Sequence, residues 1–350
     1  MGVKELSRKF PVDPSPDWNS TLVGTAPPAR LHVRRARRQH PIRMHRIALP
    51  LVVVAFGLTV LAQDQPATAS RSVHAEMHNV LYHFTDSSAV HITQLEGELV
   101  PTTPTGIPVF DDPNSFTLNI HTAEMSITTD ALASALNQYA FAAADAPIKE
   151  IRISIQDGKL DIQGKLHSKG GIPFESLGSL SVTSDGEIRV RTEKMKAAHL
   201  PVKGLMDLLG ANIAKLIDTR KVHGVRVEKD DLILTPAELF PPPHVLGRLS
   251  SVVLRGNEIV MIYGTLPAHS GKRSGNFMAY NGAELRFGKL TMSDTDLILI
   301  DMNPEDPFDF YLDHYKEQLA AGYTKNTLSS GLRAYFRDYN KLTPAQKNHK

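Results

Sequence analysis

The chain has 350 residues, 41% of them apolar, enough for one large folded domain or two moderate ones. A net charge of +2 gives no global reason to expect nucleic acid or a strongly anionic partner. The absence of cysteine excludes disulfides, thiolate metal sites, cysteine nucleophiles, iron–sulfur clusters and a lipid anchor carried on cysteine.

Residues 1–43 are rich in Pro, Ser and Arg without sustained periodicity, and read as a disordered basic tail. Arg30, Arg34, Arg35, Arg37, Arg38, Arg43 and Arg46 then precede the uncharged run Ile47–Ala62. That run is short of the ~20 residues of a comfortable membrane span and suits a signal-peptide core. Val60-Leu61-Ala62 and Ala67-Thr68-Ala69 both fit signal-peptidase cleavage. With a start at Met44, residues 44–69 are a cleaved signal; with a start at Met1, they are a single anchor behind a cytoplasmic tail. Either way the expected location is the periplasm or the outer face of the inner membrane.

Residues 74–264 read as a β-rich domain. Val80, Tyr82 and Phe84, then Val90, Ile92, Leu95 and Leu99, form a broken alternation around the turn Asp86-Ser87-Ser88. Pro101–Asn114 is a loop, and Ser115–Thr128 alternates again. A helix capped by Thr129 or Asp130 follows, with Leu132, Leu136, Tyr139 and Phe141 on its apolar face and its end at Asp145-Ala146-Pro147. Ile151, Ile153 and Ile155, the turn Asp157-Gly158, and Leu160, Ile162 and Leu166 make a hairpin. Leu180 and Val182, the turn Ser184-Asp185-Gly186, and Ile188 and Val190 make another. Leu205, Leu208, Leu209, Ile213, Leu216 and Ile217 are spaced as the apolar face of a helix over 204–219. Two further hairpins turn at Lys229-Asp230-Asp231 and at Gly256-Asn257.

The extension 265–350 begins with a loop over 265–276. Short strands are expected at 277–281, 284–292 and 296–301, then a helix Phe308–Ala321 carrying Phe308, Leu312, Tyr315 and Leu319 on one side. A tail holds Tyr335, Phe336 and Tyr339. The fold class is therefore α+β: a strongly curved antiparallel sheet of successive hairpins wrapping one or two amphipathic helices, with a strand and helix extension.

Chemistry-bearing patterns are sparse. His74 and His78 would share a helix face with Glu76 between them, but the H-E-x-x-H order is absent; with His83 they read as solvated histidines. Asp301, Glu305, Asp306, Asp309 and Asp313 do not fit a calcium loop, and Asp306-Pro307-Phe308-Asp309 suits a helix N-terminus. Nucleophile-elbow, phosphate-loop and dinucleotide motifs are missing, and Ser270–Gly275 reads as a flexible basic loop. No catalytic residue, metal ligand, cofactor or nucleic-acid partner is expected.

Residues 115–264 resemble the LmeA-like family of bacterial envelope phospholipid-binding proteins, distantly similar to the tubular lipid-binding fold. The resemblance is carried by the helix after Ser126-Ile127-Thr128-Thr129-Asp130, the Ile151–Leu166 hairpin, Gly178–Val182, Asp185-Gly186, His199–Val202 running into the leucine-rich helix, Val222–Val227 and Asp231–Leu234. It implies a non-catalytic extracytoplasmic protein holding phospholipid, or another acyl or prenyl lipid, in an apolar groove. The implied lining is Ile188, Val190, Leu205, Leu208, Leu209, Ile213 and Leu216. Two other readings stay open: a membrane-tethered structural protein with an envelope protein partner, and an envelope hydrolase whose His and Asp meet only on folding.

Overall fold

The computed structural model describes residues 71–167, 170–197, 200–201, 222–229, 231–266 and 275–347. The expected export segment at 44–69 and the expected helix at 204–219 lie outside them. Among the described residues no helix is long and apolar enough to cross a membrane. The described chain is mostly β-sheet with few helices.

Three long strands open it, β1 (Val73–Thr85), β2 (Ser88–Pro101) and β3 (Phe116–Thr128), each antiparallel to the next. His74 and His78 thus sit on a strand, not a helix. Each strand changes the parity of its buried positions once. In β1 Val73, Ala75 and Met77 give way to Val80 and Tyr82 across Asn79, whose φ is +51°. In β2 the change falls between Ile92 and Leu95, and in β3 between Ile120 and Ala123, where the register shifts. An extra residue at the slips in β2 and β3, and the left-handed Asn79 in β1, keep the apolar side chains on one face. This is why the sequence pattern is broken there.

α1 (Thr129–Ala135) follows directly, capped by Thr128, whose hydroxyl accepts the Ala131 N–H at 3.1 Å. The expected cap Thr129 instead donates to Asn257 Oδ1 at 2.6 Å. A π-helical turn over Leu136–Ala140 ends the helix before the expected stop at Asp145.

The chain then builds a second sheet from β4 (Ile148–Gln156), β5 (Lys159–Leu166), β6 (Ile172–Val182), β7 (Ile188–Ala197), β8 (Leu200–Pro201), β9 (Val225–Glu228) and β10 (Asp231–Leu234). Its order is β4-β5-β6-β7-β10-β9, with β8 beside β7. The β4–β5 turn is the expected Asp157-Gly158, with φ of +50° and +71° as a type I′ hairpin requires. Leu180 lies opposite Val190, and Ile188 opposite both Val182 and Leu234.

After α2 (Pro236–Leu239) the chain returns to the first sheet. β11 (His244–Leu246) runs parallel to the first half of β3, while the hairpin β12 (Leu249–Arg255) and β13 (Glu258–Tyr263) lies antiparallel to its second half. β14 (Phe277–Gly282), β15 (Leu285–Phe287), β16 (Leu290–Met292) and β17 (Thr295–Asp301) follow, β15 and β16 forming a separate hairpin. β18 (Phe308–Tyr311), α3 (Tyr315–Ala320), β19 (Tyr323–Asn326) and β20 (Leu332–Phe336) complete the main elements. The large sheet runs β12-β13-β3-β2-β1-β14-β17-β20-β19, with β11 beside β3 and β18 beside β1, so strands from both sides of residue 265 share it.

The expected helix Phe308–Ala321 is corrected. Phe308 and Phe310 are fully buried on alternate positions of β18, parallel to Val80–His83 of β1. A 3₁₀ turn at Leu312–His314 leads into the much shorter α3. Phe308 matched Leu312, Tyr315 and Leu319 at helical spacing only by coincidence; burying both phenylalanines on one strand face decides the local structure. Tyr335 and Phe336, expected in a tail, belong to β20, parallel to β17.

Candidate apolar ligand cavity

An apolar cavity lies against one face of the strands β1, β2, β3 and β13. Met77 and Tyr82 come from β1, Leu95 and Leu99 from β2, and Leu118 and Ile120 from β3. Met261 and Tyr263 of β13, Tyr280 of β14, and Phe84 and Phe110 extend the wall. The segment after β10 covers it through Pro236, Phe240, Pro243 and Val245. Its volume is about 810 Å³ counting what opens to solvent. No charged side chain lines it. Burial pushes the phenols of Tyr82, Tyr263 and Tyr280 up, so they are neutral at any ordinary pH. Without several polar partners, water has little reason to remain in such a space.

A second cavity, of about 400 Å³ on the same measure, lies between the two sheets. Ile127 and Ile259 of the large sheet and Leu132 of α1 face Leu160, Leu180, Ile188 and Leu234 of the other sheet. Pro236, Phe240 and Met261 wall both cavities, so a single layer of side chains divides them. Phe240 stacks on Phe84 with ring centroids 5.6 Å apart.

Of the lining residues expected from sequence, Ile188 lines this second cavity. Val190 is buried in the core but lines neither. Leu205, Leu208, Leu209, Ile213 and Leu216 lie outside the described residues. The wall on β1–β3 was not singled out, because its alternating Leu, Ile, Met and Tyr are the signature of any sheet core. The cavity exists through its cover, which comes from far along the chain.

Polar groups converge elsewhere. His83 Nε2 lies 2.9 Å from Asp309 Oδ1, and the His83 ring stacks on Tyr311 at 3.7 Å. The other ring nitrogen, Nδ1, is buried with no hydrogen-bond partner among the described residues, so the pair presents no base to solvent. Of the expected solvated acidic face, Glu305, Asp306 and Asp313 are exposed, but Asp301 and Asp309 are buried, as is Asp338; Asp309 lies on β18, which corrects the expected helix N-terminus at Asp306–Asp309. Asp301 accepts from Asn276 Nδ2 at 2.9 Å and from the Asn303 N–H at 2.8 Å, and Lys341 Nζ bridges Asp338 and Asp306 at 2.9 and 3.0 Å. Burial outweighs those two hydrogen bonds and pushes the Asp301 carboxyl up to about 6, with Asp338 and Asp306 adding to the rise. Among the described residues no group of His, Asp and Glu is placed to hold a metal ion.

No family model, curated protein or solved structure matches the chain.

Proposed function

We propose that this protein is a non-catalytic lipid-binding protein, exported to the periplasm or held at the outer face of the inner membrane, which takes an acyl or prenyl chain into the apolar cavity over β1–β3. The observation that carries the reading is the cavity's wall, uncharged and almost wholly apolar, and covered by one segment of chain. The lining offers an acyl or prenyl chain apolar contact from both the sheet and its cover. Each methylene moved there from water contributes ~0.8 kcal/mol, so affinity needs no charged anchor. The parity slips in β1, β2 and β3 support the curved-sheet form of this reading, since bulges bend and twist the strands that carry them. The basic, then apolar, run ending at Ala62 supports export.

The test is native mass spectrometry with lipid extraction on the purified full-length chain. A stoichiometric acyl or prenyl lipid is expected, and Val245→Trp, a half-buried cover position, should displace it by filling the slot. A folded, lipid-free wild-type chain would falsify the reading. One observation favours an envelope scaffold as the second reading: all four residues of the edge strand β19 are exposed, leaving that edge open to a partner strand.

A further inference from the structure

Beside the apolar cavity lies a recess of opposite character. Asp185, Glu187, Arg226 and Thr235 bring polar groups to it. Its volume, about 790 Å³ counting what opens to solvent, is close to that of the cavity. Pro236, Val245 and Tyr263 wall both spaces, so the cover segment and one tyrosine ring are all that stands between them. Leu246, 50% exposed, lies on the recess side as an apolar lip. At Gly247 an added Cβ would lie 2.8 Å from the Tyr263 ring, so the backbone there is packed directly against the shared wall.

The polar groups are ordered. Arg226 donates to both carboxylate oxygens of Glu187 at 2.6 and 2.5 Å, and Thr235 donates to Glu187 Oε1 at 2.7 Å. Arg226 Nε donates to Glu228 at 3.0 Å. The one guanidinium lining the recess is therefore committed to two carboxylates. Asp185, exposed on the turn between β6 and β7, makes no side-chain hydrogen bond or ion pair among the described residues. On the lining itself the Asp185 carboxylate and the outer side of Glu187 remain to meet a ligand, with Arg248, which donates to the Ser184 carbonyl, beside the same turn.

Building on the acyl-chain reading above, we propose that this recess receives the polar end of the same molecule, and that this end carries hydroxyl or ammonium donors rather than a free carboxylate. An amphipathic ligand then lies across the Pro236–Val245 wall, its chain in the slot and its donors facing Asp185 and the outer side of the Glu187 carboxylate.

The experiment is calorimetric titration of the purified full-length chain with four probes sharing one tail: laurate, monolaurin, dodecylamine and methyl laurate. Monolaurin and dodecylamine should bind about tenfold or more tightly than laurate, the size of effect expected when a like charge is set against a partly screened carboxylate. Asp185→Lys should reverse the order of laurate and dodecylamine. If laurate, monolaurin and dodecylamine bind equally and Asp185→Lys leaves their order unchanged, the recess is not a head-group site. If none of the four probes binds, methyl laurate included, the acyl-chain reading itself fails and takes this inference with it.

Discussion

Gln318 shows how much one side chain can organise. Fully buried on α3, it donates from Nε2 to the carbonyls of Asp309 at 2.7 Å and Arg337 at 2.9 Å, and accepts the Tyr311 N–H at Oε1 at 2.8 Å. Gln318→Leu would leave three backbone groups without partners in the interior, at a cost of about 3 kcal/mol. A lowered urea midpoint with an unchanged slope is the expected result. Asp301 offers a second prediction. Its folded carboxyl titrates at about 6 against an ordinary 3.8, so the folded state holds the proton more tightly than the unfolded chain. The stability this confers is full below about pH 4 and is lost as pH rises through about 6. His91 works in the opposite direction over part of that range, since burial lowers its pKa and the unfolded chain takes up the proton first. The difference between wild type and Asp301→Asn isolates the aspartate: wild type should lose stability relative to the variant between pH 4.5 and 6.5. A flat difference would remove the buried charge from the account. Neither residue was legible in the sequence, because Gln318 looked like any polar helix position and Asp301 like one member of a solvated acidic run.

Elements were legible where their information is local. The turns Asp157-Gly158 and Gly256-Asn257 fix hairpins from two residues each, and the alternation of Ile151, Ile153 and Ile155 needs no distant partner to be read. Where a period was ambiguous the reading failed, as at Phe308, whose spacing suits a helix face and a strand face alike. The caps expected for α1, Thr129 or Asp130, lie one and two residues past the observed Thr128. Thr128→Ala removes the one side-chain acceptor at its cap and should cost about 1 kcal/mol, seen as a lowered thermal midpoint. The cover over the cavity is the element whose role the sequence hid most completely. Pro236, Pro242 and Pro243 mark it as irregular chain, yet its function depends on β11 pairing with β3, a contact across more than a hundred residues that no local pattern encodes.

At the scale of the whole molecule, strand order is what the sequence withheld. Successive hairpins left open whether residues 265–350 form a domain of their own or complete the first; β1 is paired with β2, β14 and β18, and the last strands lie inside the large sheet. Pairing across such separations reports on shape complementarity of distant faces, which composition and periodicity do not carry. A chain ended after Gly331 would lack β20, strip β17 of a neighbour and expose the side of Phe308 that packs on Phe336. Loss of cooperative unfolding, followed by near-ultraviolet circular dichroism, is the expected outcome.

The placement of β1 also bears on timing. Its first half contacts residues 197 positions away, through His78 and Gly275, and its second half residues 226 positions away, through His83 and Asp309. A strand made first must therefore wait for partners made nearly last, and native pairing of this kind is intrinsically slow. During that wait β1 has β2 on one edge and nothing on the other. Under the export proposed above, that delay would keep the large sheet incomplete while the chain passes a translocation channel.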